Sequence, residues 1–578
     1  MPQVNEATNS ANGTGTPSAD LSTARRVLGA MACVMERAGL AVTMISLLVV
    51  TILAWCDTTL SGWDTEVFSL ASESYPRFGL AKVALTVAMI LVATCVCRVA
   101  GKLRAKVLVP VVAVAMTVAT IALVVGHATV ANGFGDANFL IQAANDNVTG
   151  KTELSQRLLD YLSRCPYQSG MYCYYVLMFK VFGENNILSL QVMGAIANLL
   201  AFLSICSIAR RFLRSDTTIN MLVLSLALLL PFWLLAGFPY GNATGFGFVM
   251  AFVALQVEAM RSSDIRRTIA LSVASIPFAV MGLAIKSTFI LMPIAVIVVW
   301  VIRTLRESRR AVGLAMAMVV ILASNLVSSA CEGYAGRHLG SPIGDGLPIE
   351  SRLLIGLTES EHFTGLLGIE APGWWDKESY DIYWEVEGDV ARQRQIATER
   401  LREAVGNFVR DPAYAYGFFK RKLISEWVDP TFNAVAYMAY NSDANGRNVF
   451  CNDEETRPAW ERAYKRFVLF EGALQCTMLT FASVGLFLFV RRTWHGGVDS
   501  ETEYPMLVIC AIFCLGFVVY LLWEAKGVYC LPFFMMVPSI GAYGLQGVTE
   551  AIGTRLKEKA TDAGVPVTGA EVEGATAS

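Results

Sequence analysis

Charged side chains are scarce in this chain of 578 residues, and the scarcity excludes most fold classes. Asp, Glu, Lys and Arg make up 16% of the sequence and hydrophobic residues 54%, whereas soluble domains carry about 25% charged residues. A soluble chain of this length needs more polar surface than this composition supplies. The composition therefore predicts an integral membrane protein. The formal net charge of −2 also argues against nucleic acid as a bulk electrostatic partner.

Motifs for metal binding and redox chemistry are missing as well. The four histidines are scattered, and the 13 cysteines form no CxxC pair and no zinc-type spacing. Most cysteines fall in apolar runs, where they act as small buried hydrophobes. Those predicted to lie outside the membrane are Cys165, Cys173, Cys331 and Cys451. A bridge between Cys331 and Cys451 is one possibility there.

The two ends of the chain have the composition of disordered segments. Residues 1–24 are rich in Asn, Thr, Ser, Gly and Ala, and residues 557–578 are small and polar. We therefore predict disordered cytoplasmic segments over 1–35 and 548–578. The N-terminus lacks the basic-then-apolar order of a cleaved signal peptide. The first apolar run, which starts near Gly39, is predicted to be a retained span.

Long apolar runs are abundant, and about twelve of them reach the roughly 20 residues that a helix needs to cross a bilayer. The two short runs on either side of Lys286 are the least certain pair. Because backbone polar groups must be satisfied within the lipid, each run predicts a helix. The runs are 39–55, 79–98, 107–127, 188–209, 217–237, 241–260, 268–285, 287–303, 311–330, 467–490, 505–524 and 527–547.

The basic residues fix an orientation for these spans. Clusters of Arg and Lys precede the first span and follow every even-numbered span, which places both termini in the cytoplasm. Residues 128–187 and 331–466 are then extracytoplasmic, provided that Gly170–Gly183 is a short helix along the outer surface. The basic clusters include Arg25 and Arg26, Arg98 to Lys106, Arg210 to Arg214, Arg261 to Arg267, Arg303 to Arg310, Arg491 and Arg492, and Arg555 and Lys557.

The predicted fold class is an all-α membrane protein of about twelve transmembrane helices. A mostly helical extracytoplasmic domain is inserted before the last three spans, with one helix over Asp389–Phe408 and a second that Asp411-Pro412 opens and that runs through Trp427. The predicted units are an N-terminal hairpin over 36–106, a transmembrane core over 107–330, the extracytoplasmic domain over 331–466 and a three-span bundle over 467–547.

Three polar patches at span ends are candidates for chemistry on a membrane-borne substrate. The first contains Asp136, where a carboxylate with apolar walls suits general-base catalysis. A solvated loop residue or a helix cap is the simpler alternative. Asp136 and Asp146 together are also a possible divalent-metal pair.

The second patch spans 161–170, where Arg164 is suited to a phosphate, and Tyr167 and Gln168 to sugar hydroxyls. A polar turn is the simpler alternative. The third patch is Trp523-Glu524-Ala525-Lys526. Lys526 there could neutralise a lipid phosphate, or pair with Glu524 at the membrane interface. Lys286, between its two spans, has the same two possible roles: binding a lipid phosphate or pairing at the membrane interface.

The order of several short motifs resembles the GT-C-type membrane glycosyltransferases of Gram-positive bacteria, which are related to the protein mannosyltransferases and the lipid A aminoarabinose transferase. The likeness covers roughly residues 107–547. It rests on Asp136, Cys165-Pro166-Tyr167-Gln168-Ser169-Gly170, Phe182-Gly183-Glu184-Asn185-Asn186, Pro231-Phe232, Pro239-Tyr240-Gly241, Ala284-Ile285-Lys286, Ala371-Pro372-Gly373-Trp374-Trp375, Phe418-Phe419-Lys420-Arg421-Lys422, Glu426-Trp427-Val428-Asp429-Pro430-Thr431-Phe432, Glu524-Ala525-Lys526 and Tyr529-Cys530-Leu531-Pro532.

This resemblance implies a polyprenyl-phosphate sugar donor and an acceptor in the cell envelope, within the plasma membrane. It implies an inverting single displacement in which Asp136 is the catalytic base and Lys526, Lys286 or Arg164 holds the leaving phosphate. Family members often carry an Arg shortly after the Lys of the last motif, where this chain has Gly527-Val528. Two other classes stay open: a transporter or lipid flippase, and a non-catalytic scaffold that binds wall polymers.

Overall fold

The fold is known from a computed structural model that describes residues 17–61, 68–70, 76–100, 102–126, 135–307, 311–361, 371–439, 457–494, 498 and 501–562. Helices dominate these residues. A small antiparallel sheet pairs strand β1 (Thr59–Ser61) with strand β2 (Phe68–Leu70), with Thr59 opposite Leu70. The predicted all-α membrane class is confirmed.

The helices follow one another along the chain with short connections. In the first half they are α1 Pro17–Cys56, α2 Pro76–Ala100, α3 Ala105–Gly126, α4 Gly135–Thr149, α5 Ser155–Arg164, α6 Ser169–Phe182, α7 Ile187–Ala209, α8 Asp216–Leu228, α9 Leu230–Leu234, α10 Asn242–Arg261 and α11 Ile265–Ile285. In the second half they are α12 Leu291–Arg306, α13 Ala311–Leu339, α14 Ile349–Leu357, α15 Glu378–Glu385, α16 Val390–Arg410, α17 Pro412–Leu423, α18 Ala434–Ala439, α19 Arg457–Thr493, α20 Tyr504–Leu522, α21 Gly527–Phe534 and α22 Val537–Asp562.

Among the described residues, ten helices are long and apolar enough to cross a membrane, and two bent helix pairs raise the number to twelve. The count agrees with the apolar runs of the sequence. The two runs beside Lys286 are separate spans, Ile265–Ile285 and Ser287–Arg306. Helix α3 exposes a stripe of valines at helical spacing, as a lipid-facing helix should: Val107, Val111, Val114 and Val118.

Both bends have a chemical cause. Helices α8 and α9 meet at 57°, where Pro231 has no amide proton to donate. The amide of Leu230 at this break donates instead to the buried carboxylate of Glu471 on α19, at 3.3 Å. Helices α21 and α22 meet at 42°, with Pro532 inside the first and Pro538 at the start of the second. A proline in the sequence therefore marks the position of each bend.

The 331–466 segment contains both helices that the sequence predicted. Asp389 caps α16 by accepting hydrogen bonds from the amides of Ala391 and Arg392. Asp411 caps α17 in the same way, with Pro412 in its first turn. Helix α17 continues through a π-helical turn, Ile424–Val428, so that the helical path does extend through Trp427. The neighbouring spans reach into this segment, since α13 ends at Leu339 and α19 begins at Arg457.

Helix also reaches into the two ends that were predicted to be disordered. Helix α1 begins at Pro17 and α22 runs to Asp562, so the predicted limits of 35 and 548 are wrong. Helix formation is cooperative, and a span propagates into flanking residues of good helix propensity. Residues 1–16 and 563–578 lie outside the described residues.

The N-terminal hairpin is integrated into the bundle, since α1 packs against α12, α19 and α20. At one end of the hairpin the buried Lys82 donates to the carbonyl oxygens of Ala54 and Asp57, both at 2.5 Å. At the opposite end of α1, Glu36 forms a 2.6 Å ion pair with Arg306. The lysine therefore fastens α2 to the end of α1 within the hairpin, and the ion pair ties the hairpin to α12.

Helix α6 packs more deeply than the surface helix predicted for Gly170–Gly183. Most of its side chains are buried, and it contacts α4, α11 and α13. Gly170 permits this packing, because a Cβ at this position would overlap the backbone carbonyl of Ala284 in the last turn of α11. The absence of a side chain thus lets α6 approach the segment that ends in Lys286.

We expect Gly170→Ala to destabilise the protein by about 1–3 kcal/mol, as overpacking against backbone usually does. The clash involves a carbonyl oxygen rather than a flexible side chain, so the helices must separate. Thermal unfolding in detergent measures the effect. Gly79→Ala is the matched control, because a Cβ on Gly79 meets nothing within 4 Å. Equal melting temperatures for the two variants would contradict the tight contact.

Candidate active site

Asp136 lies in the first turn of α4, directly after the end of span α3 and the undescribed residues 127–134. Gly135, at φ 62°, adopts the left-handed conformation that starts the helix. The side chain of Asp136 is half-buried. A carboxylate in this position benefits from the positive end of the helix dipole.

Tyr240 is the direct partner of Asp136. Its hydroxyl donates to Oδ2 of Asp136 at 3.2 Å and accepts a hydrogen bond from Nε2 of Gln168 at 2.8 Å. Tyr240 and Gln168 are both buried. Burial and the charge of Asp136 raise the pKa of Tyr240 well above its ordinary value, so the phenol remains a donor. The chain Gln168–Tyr240–Asp136 therefore orients the carboxylate.

Lys286 lies over the ring of the same tyrosine. Its Nζ is 3.8 Å from the centre of the Tyr240 ring and 5.2 Å from that of Tyr529. The residue is extended between the end of α11 and the following 3₁₀ turn, which directs its side chain out of the helical path. Burial lowers the pKa of Lys286 to about 7, and the charges of Asp136 and Glu524 act in the opposite direction.

Glu524 and Lys526 complete the charged cluster on the loop between α20 and α21. Nζ of Lys526 lies 3.8 Å from the carboxylate of Glu524. Both residues interact electrostatically with Lys286. The loop is thus part of the same site as Asp136, although the two are almost 400 residues apart in the sequence.

The 331–466 segment supports this loop through backbone contacts. The amide of Ala525 donates to the carbonyl of Gly373 at 2.6 Å. The buried ammonium of Lys422 donates to the carbonyls of Trp523, at 2.6 Å, and of Gly356, at 2.5 Å. Residues between spans nine and ten therefore position the loop that carries Glu524 and Lys526.

Tyr167 and Arg164 border α14 and α15. The guanidinium of Arg352 lies 4.4 Å from the centre of the Tyr167 ring. Arg164 stacks on Tyr380 and Trp384, at 4.5 and 5.2 Å. The structure thus places Arg164 in an aromatic wall rather than beside Lys286, and puts Arg352 against Tyr167.

More tyrosine side chains lie around the carboxylate of Asp136 than the sequence indicated. Asp136 interacts electrostatically with Tyr161, Tyr167, Tyr240 and Tyr380. Burial and Asp136 raise the pKa of Tyr161 well above its ordinary value, as they do for Tyr240. Such a lining of neutral donors suits a ligand rich in hydroxyl groups.

The structure brings together Asp136, Gln168, Lys286, Glu524 and Lys526, as one site requires. Sequence reasoning did not select Tyr240, Tyr529 or Arg352 as site residues. Tyr240 and Tyr529 belong to short motifs next to span ends. That position was the only feature of the sequence that could have indicated them as site residues. Nothing in the sequence indicates Arg352 as a site residue, because its contact with Tyr167 depends on the packing of α14.

The proposed metal pair of Asp136 and Asp146 is wrong. Both residues lie on the continuous helix α4, where a separation of ten residues corresponds to about 15 Å. Two carboxylates at that distance cannot coordinate one ion. In the part of the chain that the structure describes, no group of three or more His, Cys, Asp or Glu is placed to hold a metal.

Comparison with known proteins adds no assignment. No protein-family model matches the chain, and no curated protein matches it.

Proposed function

We propose that this chain is a membrane glycosyltransferase that moves a sugar from a polyprenyl-phosphate donor to an extracytoplasmic acceptor in the cell envelope. The observation that carries the proposal is the meeting of Asp136 and Lys286 on one tyrosine, Tyr240. A carboxylate and a buried ammonium so close together offer an oriented base and a phosphate-binding cation in one site. Both lie where spans end, within reach of a substrate held in the bilayer.

In the proposed reaction, Asp136 accepts the proton of an acceptor hydroxyl as that oxygen attacks the anomeric carbon. The new carbon–oxygen bond forms while the bond between the anomeric carbon and the phosphate oxygen breaks. The electron pair leaves with polyprenyl phosphate, whose charge Lys286 and Lys526 stabilise. A single displacement of this kind inverts the anomeric configuration, and the reacting carbon has oxocarbenium character.

The remaining side chains of the site have binding roles in this proposal. Gln168 orients Tyr240, and the buried phenols around Asp136 face the sugar hydroxyls. Arg164 and Tyr167 form the wall towards α14 and α15. Glu524 pairs with Lys526 and holds the lysine in place until phosphate arrives.

The test is transfer by the purified protein from a panel of radiolabelled polyprenyl-phosphate sugars, with membrane extract as acceptor. We expect label to move to the extract from one donor or a few related ones. A protein that is folded, as judged by its thermal transition, and that transfers no sugar from any donor contradicts the proposal.

The pH dependence of transfer gives a separate test of Lys286. Burial lowers the pKa of Lys286 to about 7, and only the protonated form stabilises the leaving phosphate. The ratio kcat/KM should therefore fall as the pH rises through about 7. Lys286→Arg keeps its charge throughout this range, so its alkaline limb should move to higher pH. A limb that stays in place in Lys286→Arg would assign it to another group.

A transporter is the second candidate, and the bent spans favour it. Broken helices and buried ionisable groups within a membrane are typical of transport pathways, and here the carboxylate of Glu471 caps the break between α8 and α9. Reconstituted vesicles distinguish the two classes. A transporter moves an intact sugar lipid or a soluble solute across the bilayer, whereas a transferase separates sugar from phosphate.

A further inference from the structure

Two cysteines from distant parts of the chain meet where α6 packs against α13. Cys173 lies on α6 and Cys331 on the last turns of α13. The thiol of Cys173 donates to the carbonyl oxygen of Cys331 at 3.6 Å, and the two thiol groups interact with each other. Both are free thiols in half-buried residues.

Hydrogen bonds through a third helix already link α6 and α13 near these two cysteines. The side-chain Nδ2 of Asn147 on α4 donates to the hydroxyl of Tyr172 at 2.7 Å. The hydroxyl of Tyr334 donates to the side-chain Oδ1 of the same asparagine at 3.5 Å. Tyr172 and Tyr334 are the near neighbours of Cys173 and Cys331 in their helices. Asn147 therefore links α6 to α13 close to the point where Cys173 contacts Cys331.

The environment of this contact favours oxidation. Cys173 lies within the predicted extracytoplasmic segment 128–187, and Cys331 is the first residue of the predicted extracytoplasmic segment 331–466. Disulfides form and persist in such compartments. Cys165, also predicted to lie on this side, is buried, and its thiol lies 3.9 Å from the hydroxyl of Tyr380 instead. Cys451, the partner predicted from the sequence, lies outside the described residues.

We propose that Cys173 and Cys331 form a disulfide in the mature protein, which links α6 covalently to α13. Each thiol loses a proton and one electron as the sulfur–sulfur bond forms. The acceptor of both electrons is an exchangeable disulfide of an extracytoplasmic thiol oxidant, which becomes a dithiol. This bond depends on the orientation of the spans and not on the transfer reaction, so it can be tested separately.

The experiment counts thiols in the full-length protein taken directly from membranes. Thiols are trapped with acid, the protein is denatured, and maleimide-polyethylene glycol is added with or without prior reduction. The wild type should take two fewer labels without reduction than with it. Cys173→Ser should take the same number in both conditions, and so should Cys331→Ser. Cys206→Ser, which removes a buried cysteine of α7, should keep the difference of two.

Mass spectrometry of the unreduced digest then identifies the bridge. A linked pair of peptides that contain Cys173 and Cys331 is the expected result. Equal labelling of the wild type with and without reduction would overturn the proposal. So would a linked pair that joins Cys331 to Cys451.

Discussion

Replacing Asp136 with Asn is expected to lower the turnover of sugar transfer by about 10³-fold, within the range that general bases contribute. The amide keeps the size of the carboxylate and an oxygen that can accept the hydrogen bond from Tyr240. It cannot take the proton of the attacking hydroxyl. The fold should therefore survive while the chemical step is lost, which initial rates and a melting curve on the same sample will show.

Asp146→Asn is the matched control for this variant. The substitution is chemically identical and lies on the same helix, about 15 Å further along its axis. We expect it to retain near wild-type turnover. Equal losses for the two variants would show that α4 has a structural role only, and full activity of Asp136→Asn would refute the choice of base.

Replacing Lys286 with Met is expected to lower kcat by about 10² to 10³-fold, the usual effect of removing one group that stabilises developing charge. The negative charge on the leaving oxygen grows towards the transition state, so kcat should fall more than the affinity for the donor. Methionine is apolar and of similar length, and it fits between the rings of Tyr240 and Tyr529 without burying an unpaired charge.

Lys180→Met provides the comparison for Lys286. Lys180 also lies near an aromatic ring, 5.9 Å from the centre of Tyr334, but it stands at the far end of α6 from the site. We expect its loss to leave kcat almost unchanged. A Lys286→Met enzyme with normal kcat and a raised KM would place the lysine in donor binding alone.

The spans were predictable because lipid imposes one rule on every one of them. A segment within the bilayer must satisfy its own backbone, so an apolar run of sufficient length has only one common outcome. Even the break at Lys286 followed from this rule, since a charge interrupts two short apolar runs. The depth of α6 did not follow, because it depends on the contact between Gly170 and the carbonyl of Ala284.

The charged members of the candidate site were predictable for a related reason. A carboxylate or ammonium at a span end raises the free energy of the fold unless it is paired or serves a function. This rule selected Asp136, Lys286, Glu524 and Lys526. Their partners were not predictable. Whether Tyr240 points to Asp136 or to lipid is decided by the backbone after the bend at α9, and a single sequence carries no direct signal for that direction.

The error over Asp146 came from reading spacing without secondary structure. Ten residues in a folded loop can bring two carboxylates together, whereas ten residues of helix hold them apart.

The most direct measurement uses a donor labelled twice, with ³H in the sugar and ³²P in the polyprenyl phosphate. Purified protein is incubated with this donor and an acceptor extract, and the two labels are separated by extraction into organic solvent. The account predicts that wild-type protein moves ³H to the acceptor while ³²P stays with the lipid, and that Asp136→Asn leaves both labels together. Labels that remain together on every donor with the folded wild-type protein would contradict it.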